Sequence, residues 1–133
     1  CIRDRAERVC SLLAAQGIAP PQARVLVLGA TFKENCPDLR NSRALELVQL
    51  LQAAGAQVDT CDPWADPEDA LRHGGVQLCE MPEEGAYDAV VLAVAHAQYR
   101  DYDAQRIAAL GKPGAVFYDV KSVWPRASVN ARL

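Results

Sequence analysis

The stretch from Arg24 to Gly55 constrains the fold of this chain most, because it contains a strand pattern, a polar loop and a helix pattern in direct succession. Residues 25–28 (VLVL) form a short, continuous apolar run, which is typical of a parallel strand covered on both faces. From Ala44 onward the apolar residues recur at helical spacing, and Gly55 stands where that helix would end. The intervening loop therefore follows the carboxyl end of a strand, where open α/β sheets bind their ligands.

The rest of the chain alternates between strand and helix patterns. Strands are predicted at 57–61, 76–80, 87–94 and 115–120, and helices at 1–16, 67–74 and 101–110. Asp66 and Pro67 form a strong helix start, because an acidic N-cap is followed by proline at the first helical position. The alternation predicts an α/β, Rossmann-like three-layer domain with a mainly parallel sheet of five to six strands.

The first segment is predicted to be distinct from that domain. No N-cap precedes the helix at 1–16, so we expect it to be the end of a longer interdomain helix. Pro20 and Pro21 break it and lead into the first strand. Residues 1–22 are therefore assigned to a connecting helix and linker, and residues 23–133 to the domain itself.

Composition excludes several classes of function. A chain of 133 residues, half of them hydrophobic and with a net charge of -3, fits one globular core and lacks the basic excess that nucleic acid or anionic membranes attract. The longest apolar runs are far shorter than a membrane span. The five cysteines and two histidines lack metal-site spacing, and unpaired thiols fit a reducing compartment. We therefore predict a cytoplasmic protein without a structural metal.

The loop after the first predicted strand lacks the usual dinucleotide fingerprint. Gly29 is followed by the letters ATFK, with no further glycine before the helix, whereas G-x-G-x-x-G exposes backbone amides to a pyrophosphate. Asp62 follows the second strand, where dinucleotide folds carry an acid, but an acid at a strand end is common. The sequence thus predicts that side-chain cations, Lys33 and Arg40, carry any phosphate contact.

Four segments, in collinear order, carry a family resemblance: TFKENCPDLRNS, DPWADPEDA, YDAVVLAVAH and FYDVKSVWPR. They resemble the C-terminal, UDP-binding domain of the UDP-glucose/GDP-mannose dehydrogenase family. Within that family they are most similar to the branch that oxidises UDP-N-acetylhexosamines for bacterial capsule, lipopolysaccharide O-antigen or Vi-type polysaccharides. The resemblance implies a two-step oxidation of the sugar C6 alcohol to a carboxylate with NAD as acceptor. It also implies a homodimer formed partly by the connecting helix.

The resemblance assigns roles to four residues. Phe32 and Lys33 match the substrate-binding pair, Lys121 matches a basic residue that contacts substrate, and Arg40 matches the arginine that reaches the NAD pyrophosphate. Alternatives remain open from the residues alone. Phe32 can also be interpreted as a core side chain, Lys33 as a solvated lysine, and Arg40 as the partner of an acidic residue in its own loop.

No catalytic residue is assigned to this chain. In the family, the glycine-rich loop that holds most of the NAD and the cysteine nucleophile both lie upstream, in the N-terminal domain. Cys36 is expected to be a bystander, because only Lys33 stands near it to stabilise a thiolate. The isolated chain is therefore expected to be inactive. The alternative is a stand-alone Rossmann-like module with a regulatory or interaction role.

Three further side chains have two interpretations each. His96 follows the central strand, where it could contact a ligand or act as a hydrogen-bonded structural residue. Trp64 and Trp124 lie at strand ends next to prolines, where each could stack on a uridine or pack against a partner domain.

Overall fold

The computed structural model describes residues 2–31, 43–79, 84–94, 96–102, 104–119, 124 and 131–132. Within them lies a parallel sheet in the order β2–β1–β3–β4–β5, with strands β1 (Arg24–Leu28), β2 (Gln57–Cys61), β3 (Tyr87–Leu92), β4 (Gly111–Asp119) and β5 (Ala131–Arg132). The helices are α1 (Ile2–Ala15), α2 (Arg43–Ala53), α3 (Pro67–Gly74), α4 (Ala97–Arg100) and α5 (Ala104–Ala109), with a 3₁₀ turn at Pro20–Gln22. The predicted α/β, Rossmann-like fold is confirmed.

Apolar side chains cover both faces of the sheet. On one face α1 and α2 pack on β1 and β3; on the other, α4, α5 and Trp124 do so. Every residue of β3 is buried, as expected for a strand in the middle of a parallel sheet. Val9 and Leu13 of α1 are buried in the first core, so this helix packs directly on the domain.

Helix α3 begins and ends where its sequence predicts. The Asp66 side chain accepts a hydrogen bond from the Glu68 amide at 2.9 Å, and Pro67 occupies the first turn. Gly75 closes the helix at φ 64° and ψ 22°, a left-handed conformation that glycine adopts without strain.

The strand predicted at 76–80 is wrong in extent, because its described part, residues 76–79, forms a single isolated bridge, between Thr60 and Leu78. The Cys79 amide donates to the Thr60 carbonyl at 2.8 Å. Within this segment Val76 is fully buried while Gln77 is exposed, so little side-chain area favours a longer ladder.

Of the helix predicted at 101–110, the structure has α5, Ala104–Ala109, and a separate short helix, α4, precedes it at Ala97–Arg100. Asp101 ends α4, and that first turn buries Tyr99, whose hydroxyl donates to the Cys61 carbonyl at 3.0 Å. Strand β4 also begins earlier than predicted: Gly111 pairs with Tyr87, and a Cβ there would lie 2.6 Å from the Ala115 Cβ. The two-residue strand β5 lies close to residue 133, in a segment whose sequence has no periodicity that predicts a strand.

Strand β1 has β2 on one side and β3 on the other, so the chain runs from β1 to β2 in one direction and then crosses back past β1 to reach β3. This topological switch places a crevice beyond the carboxyl ends of β1 and β3, where ligands bind in sheets of this kind. Among the described residues, no helix is long and apolar enough to span a bilayer.

Candidate functional site

The crevice begins at Gly29, directly after β1. Gly29 has φ 98°, and a Cβ built on it would lie 2.5 Å from the Val94 Cβ and 2.8 Å from the Val94 amide nitrogen. The amides of Ala93 and Val94 both donate to the Leu28 carbonyl, at 2.9 and 3.2 Å. Only glycine fits this close approach, which fixes the ends of the two strands against each other.

Asp62, the residue after β2, is the centre of the hydrogen-bond network in the crevice. Its Oδ2 accepts the amides of Ala30 at 2.6 Å and Thr31 at 3.1 Å. Its Oδ1 accepts the amides of Trp64 at 2.7 Å and Ala65 at 3.0 Å. The carboxylate therefore fastens the turn after β1 to the turn after β2.

His96 supplies a further donor to the same carboxylate. Its Nε2 lies 2.8 Å from Asp62 Oδ2 and 3.1 Å from Thr31 Oγ1, and its side chain is fully buried. Since a carboxylate only accepts, Nε2 carries the proton and donates to Asp62. The interpretation of His96 as a hydrogen-bonded structural residue is confirmed.

These contacts set the charge of Asp62. Burial alone would raise the pKa of its carboxyl group, but the hydrogen bonds from His96, Ala30 and Trp64 outweigh burial and lower the pKa below its usual value. Asp62 is therefore a fixed negative charge at neutral pH.

The two tryptophans have different environments. Trp124 is 1% exposed, its amide donates to Asp119 Oδ2 at 2.6 Å, and its indole nitrogen donates to the Tyr99 carbonyl at 2.9 Å. Trp124 packs inside its own domain. Both predictions for it, that it stacks on a uridine or packs against a partner domain, are therefore wrong. Trp64 is 40% exposed, and its indole nitrogen donates to Gln98 Oε1 at 3.3 Å.

A cavity of about 480 Å³ opens beside Asp62, beneath the ends of β1 and β2. Cys61 and Cys79 line it together with Tyr99, and the Arg106 guanidinium lies over the Tyr102 ring at its wall, 4.2 Å from the ring centroid. Burial, with the neighbouring Cys79 and Asp59, raises the pKa of the Cys61 thiol to about 12.

The pKa values of the other two described cysteines, Cys79 and Cys10, are also raised. Burial raises the pKa of Cys79, with a further contribution from Asp59, and burial together with Glu7 raises the pKa of Cys10. The three described cysteines are therefore protonated thiols at neutral pH, unlike the low-pKa thiolates that act as nucleophiles.

The four residues predicted to bind substrate or NAD lie outside the described part of the chain: Phe32, Lys33, Arg40 and Lys121. The same holds for Cys36. The structure describes the residues before them: Ala30 and Thr31, held by Asp62, directly precede Phe32. Sequence reasoning missed this role of Asp62; an aspartate directly after a strand and before proline was its only local signal.

The arrangement does not fit a dinucleotide in the usual manner. In that binding mode the amides after the first strand approach the pyrophosphate. Here the Ala30 and Thr31 amides already donate to Asp62.

Comparison with known proteins gives a consistent result. Residues 26–126 match the model for the UDP binding domain of the UDP-glucose/GDP-mannose dehydrogenase family. A UDP-N-acetyl-D-glucosamine 6-dehydrogenase of Pseudomonas aeruginosa is 44% identical over 111 residues, which is 84% of this chain and 26% of that protein. A second, from Salmonella typhi, is 37% identical over 127 residues, or 96% of this chain and 30% of that protein.

Solved structures show the same fold. The UDP-D-ManNAc dehydrogenase of Pyrococcus horikoshii matches with a TM-score of 0.75 at 25% identity, covering 98% of this chain and 30% of that one. A UDP-glucose dehydrogenase of Pyrobaculum islandicum matches with a TM-score of 0.72 at 28% identity, and the match covers 98% of this chain and 28% of that one. The resemblance found in the sequence is confirmed: the chain belongs to the UDP-glucose/GDP-mannose dehydrogenase family, whose UDP binding domain it contains.

Proposed function

We propose that this chain is the nucleotide-sugar-binding domain of an NAD-dependent UDP-sugar 6-dehydrogenase that makes a UDP-uronic acid for bacterial surface polysaccharide. The observation that carries the proposal is the match of residues 26–126 to the family's UDP binding domain. Relatives named UDP-N-acetyl-D-glucosamine 6-dehydrogenase favour a UDP-N-acetylhexosamine as substrate, with UDP-glucose as the other candidate. A further relative, Protein CapL of Staphylococcus aureus, supports a role in capsule synthesis.

The site is proposed to lie in the crevice beyond β1. There, Phe32 would supply a rigid wall for the substrate, and Lys33 a point charge for a phosphate or sugar oxygen. Lys121, just beyond β4, would add a second cation to the substrate. The Asp62 network supports this assignment because it anchors the backbone immediately before Phe32.

The rest of the machinery is proposed to lie in an N-terminal domain of the same longer protein. That domain would hold most of the NAD and supply the cysteine nucleophile, while Arg40 would reach the NAD pyrophosphate with its guanidinium fork. Residues 1–22 would end the connecting helix, which would also serve a cytoplasmic homodimer. The high pKa of the described thiols agrees with an inactive isolated chain.

The test uses the longer protein with UDP-N-acetylglucosamine and UDP-glucose in turn, each with NAD, and follows formation of NADH and of the uronic acid. Lys33→Ala should lower turnover by about 100-fold or more, because a charge aimed at the reacting sugar nucleotide is lost. Lys112→Ala is the matched control, since Lys112 is half exposed and pairs with Asp88 at the opposite end of the sheet. Unchanged kinetics in Lys33→Ala would remove that lysine from the site, and failure to oxidise either sugar would refute the function.

The isolated chain gives a second measurement. It should bind UDP weakly, because part of the site is proposed to lie on the other domain, and it should form no NADH. Tight NAD binding by this chain in calorimetry would contradict the assignment of the crevice.

A further inference from the structure

The turn after β1 carries the donors that a dinucleotide fold offers to phosphate. The first amides past Gly29 belong to Ala30 and Thr31, and in dinucleotide-binding sheets amides at this turn approach the pyrophosphate. Here they converge on one oxygen, Asp62 Oδ2, at 2.6 and 3.1 Å. A carboxylate of this chain thus lies where such a fold would receive an anion.

Asp62 also has a different role from the acid that follows the second strand in a dinucleotide-binding fold. An acid that follows the second strand there accepts a ribose hydroxyl. In this chain both Asp62 oxygens are engaged by five donors: Oδ2 by two amides and His96, and Oδ1 by the amides of Trp64 and Ala65. A carboxylate offers about four acceptor positions, so this one has no capacity left for a ribose.

We infer that Asp62 is a built-in anion that occupies the pyrophosphate position of this Rossmann-like turn and thereby determines that the crevice rejects a dinucleotide. An incoming phosphate would meet a buried carboxylate rather than two open amides, and would have to displace its hydrogen bonds as well as overcome like-charge repulsion. Phosphate recognition in this domain therefore does not depend on the Ala30 and Thr31 amides. The inference concerns the fold alone and holds whichever sugar nucleotide the protein uses.

The test is anion rescue of Asp62→Ala in this chain. Removing the carboxylate takes away the acceptor of the Ala30 and Thr31 amides and leaves a space that adjoins the cavity of about 480 Å³ beside Asp62, so sodium acetate and inorganic pyrophosphate should each restore stability. At an anion concentration about ten times its Kd, the folding equilibrium constant should rise about tenfold. Urea unfolding in either anion, against chloride at equal ionic strength, measures the gain.

Asp62→Asn is the matched control. Its amide is neutral but fills the same space, so it should be destabilised without being rescued by either anion. Pyrophosphate bound elsewhere, for example by surface cations, would stabilise wild type, Asp62→Asn and Asp62→Ala alike, and is subtracted in the comparison.

Equal gains in all three proteins would overturn the inference. If Asp62→Ala does not fold in chloride, refolding in acetate or pyrophosphate replaces the unfolding curve: recovery supports the inference, and failure to recover in both anions overturns it. None of these measurements uses a UDP-sugar, so a failure of the proposed function leaves them interpretable.

Discussion

The two ends of the sheet handle buried carboxylates in different ways. At the amino end, Asp88 accepts the Arg24 amide at 2.9 Å and also the Lys112 ammonium at 3.2 Å, on a lysine that is half exposed. At the carboxyl end, the side chain of Asp62 is fully buried and accepts hydrogen bonds from backbone amides and from His96. The first arrangement ties strands with a screened ion pair. The second fixes loop backbone with hydrogen bonds to a carboxylate whose own side chain is fully buried.

This difference indicates where rigidity is concentrated. The amino end needs only to hold strands in register, and a partly solvated charge pair suffices for that. At the carboxyl end, one carboxylate holds the residues that directly follow β1 and β2 against each other. There the chain combines a glycine of required conformation with a saturated carboxylate, and errors at either should cost more than errors at the amino end.

The largest contrast should come from paired glycine substitutions. Gly29→Ala should destabilise the chain by about 3 kcal/mol or more, because a positive φ is combined with a clash against the Val94 backbone. Gly85→Ala, at φ 75° with open space around it and just before β3, should cost about 1 kcal/mol. Urea unfolding of the two variants measures the difference, and equal losses would refute the contrast between the ends.

Asp62→Asn should cost about 2 kcal/mol at neutral pH, because the new amide places a donor against donors that the carboxylate accepted. The pKa of Asp62 is lowered in the folded state from a usual value of 3.8, so its stabilising contribution is complete above that value and is lost as pH falls below it. The stability gap between wild type and variant should therefore close in acid. Urea titrations from neutral pH to strongly acidic pH measure this, and a gap that widens in acid would contradict the assignment.

Tyr87→Phe tests the amino end with a smaller change. The Tyr87 hydroxyl donates to Asp59 Oδ2 at 2.7 Å from a fully buried ring, while the Arg24 guanidinium also reaches that carboxylate at 3.4 Å. Losing the hydroxyl should cost about 1 kcal/mol, since Asp59 keeps its second donor. Thermal unfolding provides the comparison with Asp62→Asn, and a larger loss for Tyr87→Phe would reverse the order proposed for the two ends.

The smallest effect is expected for Lys112→Met. Its pair with Asp88 is half exposed, so removal should cost less than about 1 kcal/mol, and the cost should shrink as salt is added. Unfolding at low and high ionic strength measures both quantities. A loss that is large and independent of salt would show that the amino end behaves as the carboxyl end does.

Much of the fold is predictable because its signals are local. Strand β2 has the predicted bounds, and the Asp66–Pro67 start and Gly75 end of α3 follow from capping chemistry within a few residues. The errors concern features decided by distant packing. Tyr99 closes a separate helical turn because its hydroxyl reaches Cys61, and β5 depends on pairing with β4 rather than on any pattern of its own.

The candidate site, like the fold, is predictable from the sequence only where its signals are local. The strand–loop–helix pattern predicts that the site lies beyond the end of β1. The four motif segments, taken in their order along the chain, predict the family. The role of Asp62 did not follow, because its key contacts are with residues 30 and 31, about thirty positions earlier in the chain. The positions proposed for Phe32, Lys33, Arg40 and Lys121 stay predictions.

The position of β1 between β2 and β3 has a consequence for how the chain matures. Val25 pairs with Val58 on one side and with Ala89 on the other, so the second partner arrives only after a further α/β unit has been made. Pairings of such long sequence separation form slowly. On the ribosome, a nascent chain ending before β3 would expose an open edge of its most apolar strand, which makes this interval the one in which chaperone protection matters most.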